Sequence, residues 1–458
     1  MKNSNHQAIK TPWLVVGLGV SGYSCVKYLA RTGESFTVID SRTNPPLLER
    51  LKVEFPAVDY LVGVDLYSDA LDVDSVETLV MSPGISVDNT LANQIKRNGG
   101  SVIGDIDLFR REISAPLVAI TGSNAKTTVT TLVGEMAKQA GLAVGVGGNI
   151  GTPVLDLLEQ EPKQLYVLEL SSFQLEIIHN LNATAVTLLN LSDDHMDRYD
   201  SFDDYKKAKQ RIFAGCKAMV VNREAAGLVP TDNTNDNTIS FGLDKPGKNQ
   251  FGVVEANGER FIAFEDKELL DINELLIAGE HNVLNAMAAM ALGMLVDIPM
   301  DKMISCLKTF PGLAHRCESV AEIDSVGFYN DSKATNVGAC IAALEGLGKN
   351  LKGNILLIAG GDGKGSDFSP LNAPVKQFVS VVFLFGQDAQ KLKQTLAGST
   401  DIKMVSNLAE AVQCAWKHAK PGDRIILSPA CASLDMFENY QQRGDQFKQL
   451  VRELEQAA

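Results

Sequence analysis

Short apolar runs alternate with amphipathic runs along roughly the first hundred residues of the chain. From Thr11 to about Gly104 the strand-like runs are "PWLVVGLG", "SFTVID", "ETLVMSPG" and "SVIGDI". Between them lie helix-like runs, including "SGYSCVKYLARTG" and "NTLANQIKRNGG". This rhythm predicts βαβ units around a mostly parallel sheet.

The same rhythm returns twice farther along. After "DIDLFRREI" the strand-like runs are "PLVAIT", "LAVGVGG", "LYVLELS", "ATAVTLLNLS" and "KAMVVN", and from about 236 to 270 the pattern becomes β-rich and polar. Two helical runs and the linker-like "PGLAH" precede a third set of strands, "NILLIAGG", "SVVFLFG", "IKMVS" and "DRIILSPA". We therefore predict an α/β protein of three domains in series, at 1–104, 105–311 and 312–458, with a small antiparallel addition to the central one.

Composition narrows the class of protein. The 458 residues carry a formal net charge of -14, which argues against a nucleic-acid-binding surface. The seven cysteines are scattered without C-x-x-C spacing, so we expect reduced packing residues rather than disulfides or a metal cluster. No apolar run approaches the roughly 18 residues of a membrane span, and the start shows no signal-peptide pattern. We expect a cytoplasmic protein without membrane association.

A glycine-rich turn follows the first predicted strand. Gly17, Gly19 and Gly22 form G-x-G-x-x-G, and Asp40 ends the next strand. Glycines with this spacing permit a tight turn and close approach of a diphosphate to a helix N-terminus, while the acid can bind a ribose hydroxyl. The motif favours a nucleotide diphosphate over plain tight helix packing. It leaves open whether the nucleotide is a redox cofactor or the handle of a substrate.

A second candidate phosphate loop, "ITGSNAKTT", joins the strand-like "PLVA" to the helix-like "VTTLVGEMAKQA". In such loops a lysine, here Lys126, lies near the β- and γ-phosphates, and a hydroxyl, here Thr127, binds Mg²⁺. The strict pattern G-x-x-x-x-G-K-[ST] fails at Ile120 and Ala125, so an ordinary strand-to-helix turn stays open. A left-handed alanine at 125 would cost about 1–2 kcal/mol, which a well-packed domain tolerates.

Acidic and imidazole side chains follow two later strands of the central region. Glu169 ends an apolar strand in "ELSSFQLE", where a lone carboxylate is costly unless it is paired or binds a metal. His195 follows another strand in "LNLSDDHMDRY", among Asp193, Asp194 and Asp197. Such ligands at successive strand ends beside a phosphate loop favour a Mg²⁺–ATP site over solvated side chains.

Polar clusters also accompany the strands of the third region. They contain groups suited to phosphate, carboxylate or amide recognition: Arg316, Asp331, Lys333, Thr335, Lys364 and Ser433. Taken singly, each cluster is compatible with turn chemistry. Together they predict a second ligand pocket that faces the ATP-binding domain across a cleft able to close.

These motifs resemble those of the Mur ligase family of bacterial cell-wall synthesis. They occur in family order and spacing across nearly the whole chain: "GLGVSG", "SPGI", "TGSNAKTT", "GGNIG", "ELSSFQLE", "DHMDRY", "HNVLN", "HRCE", "NDSKATN", "GGDGK" and "SPACASLDMF". The resemblance implies Rossmann-like outer domains and a P-loop ATPase-like central domain. It also implies a monomeric ATP-dependent ligase that joins D-glutamate to UDP-N-acetylmuramoyl-L-alanine through an acyl phosphate.

The resemblance assigns residues of this chain to four groups. The catalytic group is Lys126, Glu169, His195, Lys209 and Arg316. The UDP-substrate group is Gly17, Leu18, Gly19, Val20, Asp40, Ser41, Ser82, Gly84 and Asn149. The ATP group is Gly122, Ser123, Asn124, Ala125, Lys126, Thr127, Thr128, Asn282, Asn285, Arg316 and Asp331. The D-glutamate group is Thr335, Lys364, Ser433, Leu434 and Tyr440.

Metal binding is implied by the same resemblance. Two Mg²⁺ ions are expected, with Thr127, Glu169, His195 and Lys209 as metal-site residues. By pattern alone Lys209 is one of several lysines on a solvated helix face, but it matches the lysine that family members carry as a carbamate. Addition of CO₂ turns this cation into a carboxylate, which can support a second Mg²⁺ without repelling it.

Two positions depart from the family pattern, and other functions stay open. Ala125 stands for the usual glycine and Tyr440 for a phenylalanine. A sibling amino-acid-adding Mur ligase or a folylpolyglutamate synthetase-like ligase would keep the fold, although the third region lacks the D-N-P-R stretch of diaminopimelate- or lysine-adding relatives. A nicotinamide-dependent oxidoreductase explains only the first glycine motif. A P-loop NTPase without ligase chemistry would hydrolyse ATP independently of any amino acid.

Overall fold

The computed structural model describes residues 7–230, 235–277, 279–349 and 351–457. Its described part contains three large β-sheets, one in each region of the chain, and a two-stranded pair beside the first. The sequence analysis found no signal-peptide pattern at the start of the chain. Residues 1–6 of this segment lie outside the described residues.

The first region is built on a parallel sheet. Its elements are β1 (Gln7–Ala8), β2 (Trp13–Val16), α1 (Val20–Thr32), β3 (Phe36–Asp40), α2 (Leu48–Glu54), β4 (Asp59–Val62), β5 (Leu71–Asp72), β6 (Thr78–Met81), α3 (Thr90–Arg97), β7 (Ser101–Ile103) and α4 (Asp105–Glu112). The strand order is β4-β3-β2-β6-β7, all parallel. Because the order reverses between β2 and β6, the turns after these strands, at Gly17 and Ser82, flank the crevice where such sheets bind ligands.

The second region has a larger sheet. Its elements are β8 (Leu117–Thr121), α5 (Lys126–Gln139), β9 (Val144–Gly148), β10 (Leu165–Glu169), α6 (Ser172–Ile177), β11 (Ala185–Leu188), α7 (Phe202–Gln210), β12 (Met219–Asn222), β13 (Thr238–Phe241), β14 (Gln250–Ala256), β15 (Glu259–Phe264), β16 (Lys267–Asp271), α8 (Glu280–Met294) and α9 (Met300–Thr309). The order is β16-β15-β14-β13-β12-β11-β8-β10-β9. Since β8 lies between the parallel strands β10 and β11, the segments after all three strands meet at one edge.

The third region repeats the α/β pattern. Its elements are β17 (Glu318–Ile323), β18 (Val326–Asn330), α10 (Val337–Gly348), β19 (Ile355–Ala359), α11 (Asn372–Phe378), β20 (Val379–Leu384), α12 (Ala389–Thr395), β21 (Asp401–Met404), α13 (Leu408–His418), β22 (Arg424–Leu427) and α14 (Tyr440–Ala457). The order is β17-β18-β22-β19-β20-β21, with only β17 antiparallel to its neighbour. The polar segments after β18, β19 and β22 therefore share one edge.

The first and second regions pack against each other through apolar side chains, whereas the third region has separate apolar clusters. One buried cluster contains side chains of both, such as Val26 of α1, Phe109 of α4 and Leu168 of β10. Within it the rings of Phe109 and Tyr166 meet edge to face, with centroids 5.0 Å apart. The two clusters of the third region draw their buried members from residues 323–451 alone. The first two domains thus share a core, whereas the third has its own.

The structure confirms three α/β domains in series, while the boundaries at 104 and 311 stay a prediction. The hydrophobic pattern missed β4, because this edge strand has no buried residue to reveal an alternation. The β-rich stretch near 236–270 extends the central sheet: β13 pairs in parallel with β12 and β14, and the antiparallel addition is formed by β15 against β14 and β16 against β15. Among the described helices, none has the length and hydropathy needed to cross a membrane.

Candidate active site

The glycine turn after β2 forms one wall of a pocket of about 580 Å³, the glycine-turn pocket. Gly17 has a φ of 92°, and a side chain there would meet Ser82 and Ile85. A Cβ on Gly22 would overlap the carbonyl oxygen of Gly17. The turn therefore requires glycine at both positions. Predicted residues that line the pocket are Gly17, Gly19, Val20, Asp40, Ser41, Ser82, Gly84 and Asn149.

Asp40, at the end of β3, is buried and bonded within the protein. Its Oδ2 accepts from the backbone N–H of Leu18 at 2.7 Å and from Arg42 Nη2 at 2.6 Å. Its Oδ1 accepts from the backbone and Nε of Arg42 at 2.8 and 2.9 Å. Burial favours the neutral acid, but these donors prevail and lower the pKa of Asp40 below its ordinary value. With its main acceptor positions occupied, Asp40 fixes the glycine turn and orients Arg42.

The phosphate loop, residues 122–125, joins β8 to α5. Ala125 has φ 65° and ψ -4°, so it occupies the left-handed region that glycine adopts without cost. Asn190, just beyond β11, holds the loop: its Oδ1 accepts from the N–H of Asn124 at 2.8 Å, and its Nδ2 donates to Asn124 O at 3.2 Å. Ala125 therefore has the strained left-handed backbone that the sequence analysis expected for an alanine at this position. The hydrogen bonds from Asn190 hold the loop in this conformation.

Two lysine amines meet at the carbonyl of Gly122. Lys126 Nζ donates to Gly122 O at 2.7 Å and to Ser123 O at 2.8 Å, and Lys209 Nζ donates to Gly122 O at 2.9 Å. Burial lowers the pKa of both amines, and for Lys209 the nearby charge of Lys126 lowers it further. Lys209 is only 2% exposed, so it lies behind the loop and not on a solvated helix face.

Glu169 lies at the centre of a hydrogen-bonded group that connects the central region to the third region. Its Oε2 accepts from Thr127 Oγ1 at 2.8 Å, and its Oε1 accepts from Asn149 Nδ2 at 2.8 Å. Arg316 of the third region donates through Nη2 to the same Thr127 hydroxyl at 2.9 Å. The buried carboxylate is therefore paired, as the sequence required, and it stands between the glycine-turn pocket and the phosphate loop.

His195 lies in a left-handed turn, with φ 59°. Its ring packs on Phe173 with centroids 4.9 Å apart, and burial lowers its pKa, against the opposing charge of Asp194. Asp194 in turn accepts from Lys364 Nζ of the third region at 3.1 Å. Within the described residues, no group of three or more His, Cys, Asp or Glu side chains converges. Asp194 is therefore already paired with a lysine of the third region, and the cation site that the spacing favours around His195 stays a prediction.

The third region contributes an acid and an amine with shifted pKa values. Asp331 accepts from the N–H of Cys317 at 3.1 Å and from Ser428 Oγ at 2.7 Å, and its burial raises its pKa to about 7. Lys333 Nζ lies 3.8 Å from the centroid of the Tyr440 ring, and burial lowers the pKa of this amine to about 8. Tyr440 therefore places an aromatic face against a lysine in the cleft.

Two further cavities adjoin these residues. The loop cavity, of about 360 Å³, is lined by the predicted Asn124, Ala125, Thr128, Asn282, Asn285, Arg316 and Asp331. The central cleft, of about 480 Å³, is lined by Ser123, Asn124, Lys126, Thr127, Asn149, Glu169, His195, Arg316, Thr335, Lys364, Ser433, Leu434 and Tyr440. The central cleft shares Asn124 and Arg316 with the loop cavity and Asn149 with the glycine-turn pocket. The three spaces are thus contiguous. Of the residues in the four groups that the resemblance assigns, only Leu18, Gly122 and Lys209 line none of them.

Sequence reasoning missed several side chains that build the site. Arg42 binds Asp40, Asn190 holds the phosphate loop, and Asn336 donates to Asn124 Oδ1 at 3.1 Å. Arg443, only 1% exposed, donates to the backbone carbonyls that precede Ser433. Two of them carried a signal in the sequence: Asn190 directly follows an apolar strand, and Asn336 ends the motif "NDSKATN". Arg42 and Arg443 belong to none of the motifs quoted above.

Family models match the chain in three consecutive blocks. Residues 11–104 match the Mur ligase MurD-like, N-terminal domain, residues 120–293 the Mur ligase middle domain, and residues 315–431 the Mur ligase, glutamate ligase domain. Solved structures share the fold. A pseudomurein peptide ligase type C from Methanothermus fervidus has a TM-score of 0.60 at 20% identity, covering 97% of this chain and 100% of that one. A UDP-N-acetylmuramate-alanine ligase from Thermotoga maritima has a TM-score of 0.59 at 16% identity, covering 98% and 100%.

Curated relatives are more similar in sequence. A UDP-N-acetylmuramoylalanine--D-glutamate ligase from Pseudomonas aeruginosa is 51% identical over 441 residues, covering 96% of this chain and 98% of the relative. A ligase of the same name from Legionella pneumophila is 46% identical over 445 residues, covering 96% and 99%. Together with the three family models and the three contiguous pockets, this similarity shows that the chain belongs to the Mur ligase family.

Proposed function

We propose that this protein is an ATP-dependent ligase that adds D-glutamate to UDP-N-acetylmuramoyl-L-alanine in peptidoglycan precursor synthesis. Relatives that are 51% and 49% identical over nearly the whole chain carry the name of this activity. The structural observation that carries the proposal is the position of Glu169, which contacts Asn149 and Thr127, while Arg316 reaches the same threonine. A ligase with three substrates needs such a meeting point of three pockets.

Each pocket has the chemistry of one part of the reaction. The glycine-turn pocket, with its close backbone approach, suits the uridine diphosphate. The loop cavity, between the phosphate loop and α10, suits the adenosine of ATP. The central cleft contains the cations Lys126, Arg316, Lys333 and Lys364, which suit the γ-phosphate and the carboxylates of alanine and D-glutamate.

The donor set fits Mg²⁺, which the Mur ligase family requires together with ATP. The Thr127 hydroxyl, in the first turn of α5, and the Glu169 carboxylate, at the end of β10, are hard oxygen donors. When bound, Mg²⁺ supplies positive charge that neutralises phosphate oxygens. We assign a second ion to His195 and a carbamylated Lys209.

The Lys209 carbamate would form when its neutral amine attacks CO₂, making a nitrogen–carbon bond and releasing a proton. In the described part of the chain this buried amine has no carboxylate within salt-bridge distance, so a newly formed carbamate would not displace an ion pair. Its present acceptor, the carbonyl of Gly122, would remain with Lys126.

In the first step the alanine carboxylate attacks the γ-phosphorus of ATP, and ADP leaves with the electrons of the broken phosphorus–oxygen bond. The product is an acyl phosphate, whose phosphate is a good leaving group. Lys126 and Arg316 would offset the charge on the transferring phosphoryl group, and positioning would supply much of the remaining rate enhancement. Lys126 must exchange its two carbonyl partners for phosphate oxygens.

In the second step the deprotonated amine of D-glutamate attacks the acyl carbon, and inorganic phosphate leaves. Thr335, Lys364 and Ser433 would hold the amino acid, and His195 would help to order the metal site. The third domain covers the cleft and excludes water, which would otherwise hydrolyse the acyl phosphate.

We further propose that the enzyme acts as a cytoplasmic monomer with domain boundaries at 104 and 311. ATP and UDP-linked substrates are small molecules of the cytoplasm, which supports this compartment.

Phosphate release from ATP tests the proposal. The assay contains Mg²⁺ and UDP-N-acetylmuramoyl-L-alanine, with D-glutamate, L-glutamate or no amino acid. We expect release that requires D-glutamate. Equal release with L-glutamate, or none with D-glutamate, would contradict the substrate assignment, and release independent of any amino acid would indicate a plain NTPase.

A further inference from the structure

A single buried asparagine connects the third domain to the phosphate loop. Asn336, at 4% exposure, directly precedes α10. Its Nδ2 donates to Asn124 Oδ1 at 3.1 Å, and Asp194 Oδ2 lies 3.5 Å from the same nitrogen. Its Oδ1 accepts from the N–H of Ala339 at 2.9 Å and so caps α10. The side chain thus uses its acceptor within its own domain and its donor across the domain boundary.

Asn336 is the outer member of a row of three asparagines that crosses the phosphate loop. Asn190 binds the backbone of Asn124 from the β11 side, and Asn336 binds the side chain of Asn124 from the α10 side. Asn124 Nδ2 also donates to Ser192 Oγ at 3.3 Å. Because all three amides are neutral, the row holds the loop without adding charge beside the phosphates.

The partners of Asn336 also connect to the proposed amino-acid pocket. Asp194 accepts from Lys364, and Thr335 directly precedes Asn336 in the chain. The start of α10 packs closely on the central domain, since a Cβ on Gly338 would lie 3.0 Å from Ser192 Oγ. A ligand that orders the segment around Thr335 would therefore act on the donor that reaches the phosphate loop.

We infer that Asn336 is a positioning residue through which the docked third domain fixes the phosphate loop, so that the amino-acid pocket and the ATP site form together. The inference rests on the proposed function. It assigns Asn336 no contact with a substrate, and its effect runs through Asn124. If ATP and D-glutamate each stabilise the docked arrangement, each favours the binding of the other, and loss of this contact should weaken the binding of both.

Asn336→Ser separates positioning from helix capping. Serine caps a helix about as well as asparagine but cannot supply the amide donor. We expect kcat/KM for ATP and for D-glutamate to fall together by about tenfold, the factor for one to two net hydrogen bonds. KM for UDP-N-acetylmuramoyl-L-alanine should stay within about twofold. The matched control is Asn407→Ser at the cap of α13, where Oδ1 accepts from Glu410 N at 2.9 Å; all kinetic constants should match the wild type.

A double-mutant cycle with Asn124→Ala tests the route of the effect. If Asn336 acts through Asn124, Asn336→Ser should cost less than about twofold in the Asn124→Ala background. Wild-type kinetics in Asn336→Ser, a full tenfold loss in both backgrounds, or a lower Tm with unchanged KM values would each overturn the inference. If the wild type shows no turnover that depends on D-glutamate, the proposed function itself fails, and the two failures are distinct.

Discussion

The two glycine-containing loops of this protein, each a proposed phosphate-binding loop, are held in place in different ways. Both join a parallel strand to the N-terminus of a helix at one edge of a sheet. The turn at Gly17 is fixed within its own domain, by Ser82 and by Asp40. The phosphate loop is fixed from other elements and another domain, by Asn190 and Asn336. The first is therefore complete without its neighbours, whereas the second depends on domain docking.

The packing between domains follows the same division. The domain with the glycine turn shares an apolar cluster with the central domain, whereas the third domain keeps its own clusters and reaches the central site through Arg316, Asn336 and Lys364. Opening an apolar interface exposes surface that water solvates poorly, but polar partners can be exchanged for water. This division supports the proposal that the UDP-substrate site is preformed and that the third domain opens and closes over the amino-acid side.

Replacement of Lys126, which follows the phosphate loop, should give the largest difference between an effect on turnover and an effect on UDP-substrate binding. Lys126→Ala should lower turnover by at least about 10³-fold, because it removes a cation from the transferring phosphoryl group. UDP-substrate affinity, measured by calorimetry, should stay within a few-fold because that pocket lies on another domain. Lys207→Ala is the control, since that side chain is 74% exposed, and it should leave turnover unchanged. Loss of both functions in Lys126→Ala would mean that the two sites are not separate.

A pair of glycine substitutions tests how far the first turn depends on backbone alone. Gly22→Ala should lower the free energy of unfolding by about 2–3 kcal/mol, because its Cβ overlaps the carbonyl of Gly17. Gly19→Ala should change it by less than about 0.5 kcal/mol, since nothing lies within 4 Å of that Cβ, yet weaken UDP-substrate binding. Denaturant unfolding and calorimetry measure the two effects. Equal stabilities of the two variants would contradict the described turn.

The charge in the central cleft predicts a pH dependence in the alkaline range, whereas in the glycine-turn pocket the lowered pKa of Asp40 acts at acid pH. The pKa of Lys333 is about 8 in the folded protein against an ordinary value of 10.5, because burial disfavours the ammonium. Between these values the unfolded chain binds more protons, so stability of the ligand-free protein should rise as pH increases from about 8 to 10. Lys333→Met should remove this part of the rise and stabilise the protein at pH 7 by about 1–2 kcal/mol. Denaturant unfolding across this range checks the sign, and an unchanged slope would contradict the burial of this amine.

The smallest effect is expected at the left-handed alanine. Ala125→Gly relieves backbone strain in the loop but increases the entropy of the unfolded chain, so the net change in stability should stay below about 1 kcal/mol. Turnover should be unchanged or higher, with KM for ATP as the most direct measure. A large loss of activity would show that the loop works in another conformation.

Local patterns in the sequence determined the order of elements, the three α/β domains and the ends of the strands. These follow from apolar periodicity, which each segment carries by itself. The sequence placed Lys126 after one strand and Glu169 at the end of another, which predicted a shared site at the edge of a parallel sheet. That β8 lies between β10 and β11 came from the structure. Edge strand β4 was not predictable, since its exposed residues leave no periodic signal.

Tertiary structure alone decided what the polar side chains bind. Asp40 is occupied by Leu18 and Arg42, Asp194 pairs with Lys364, and Lys209 lies behind the phosphate loop instead of facing solvent. The sequence determined which residues stand at the strand ends. It could not determine their partners, because Asp194 and Lys364 are 170 residues apart and meet only after separate domains have folded and docked.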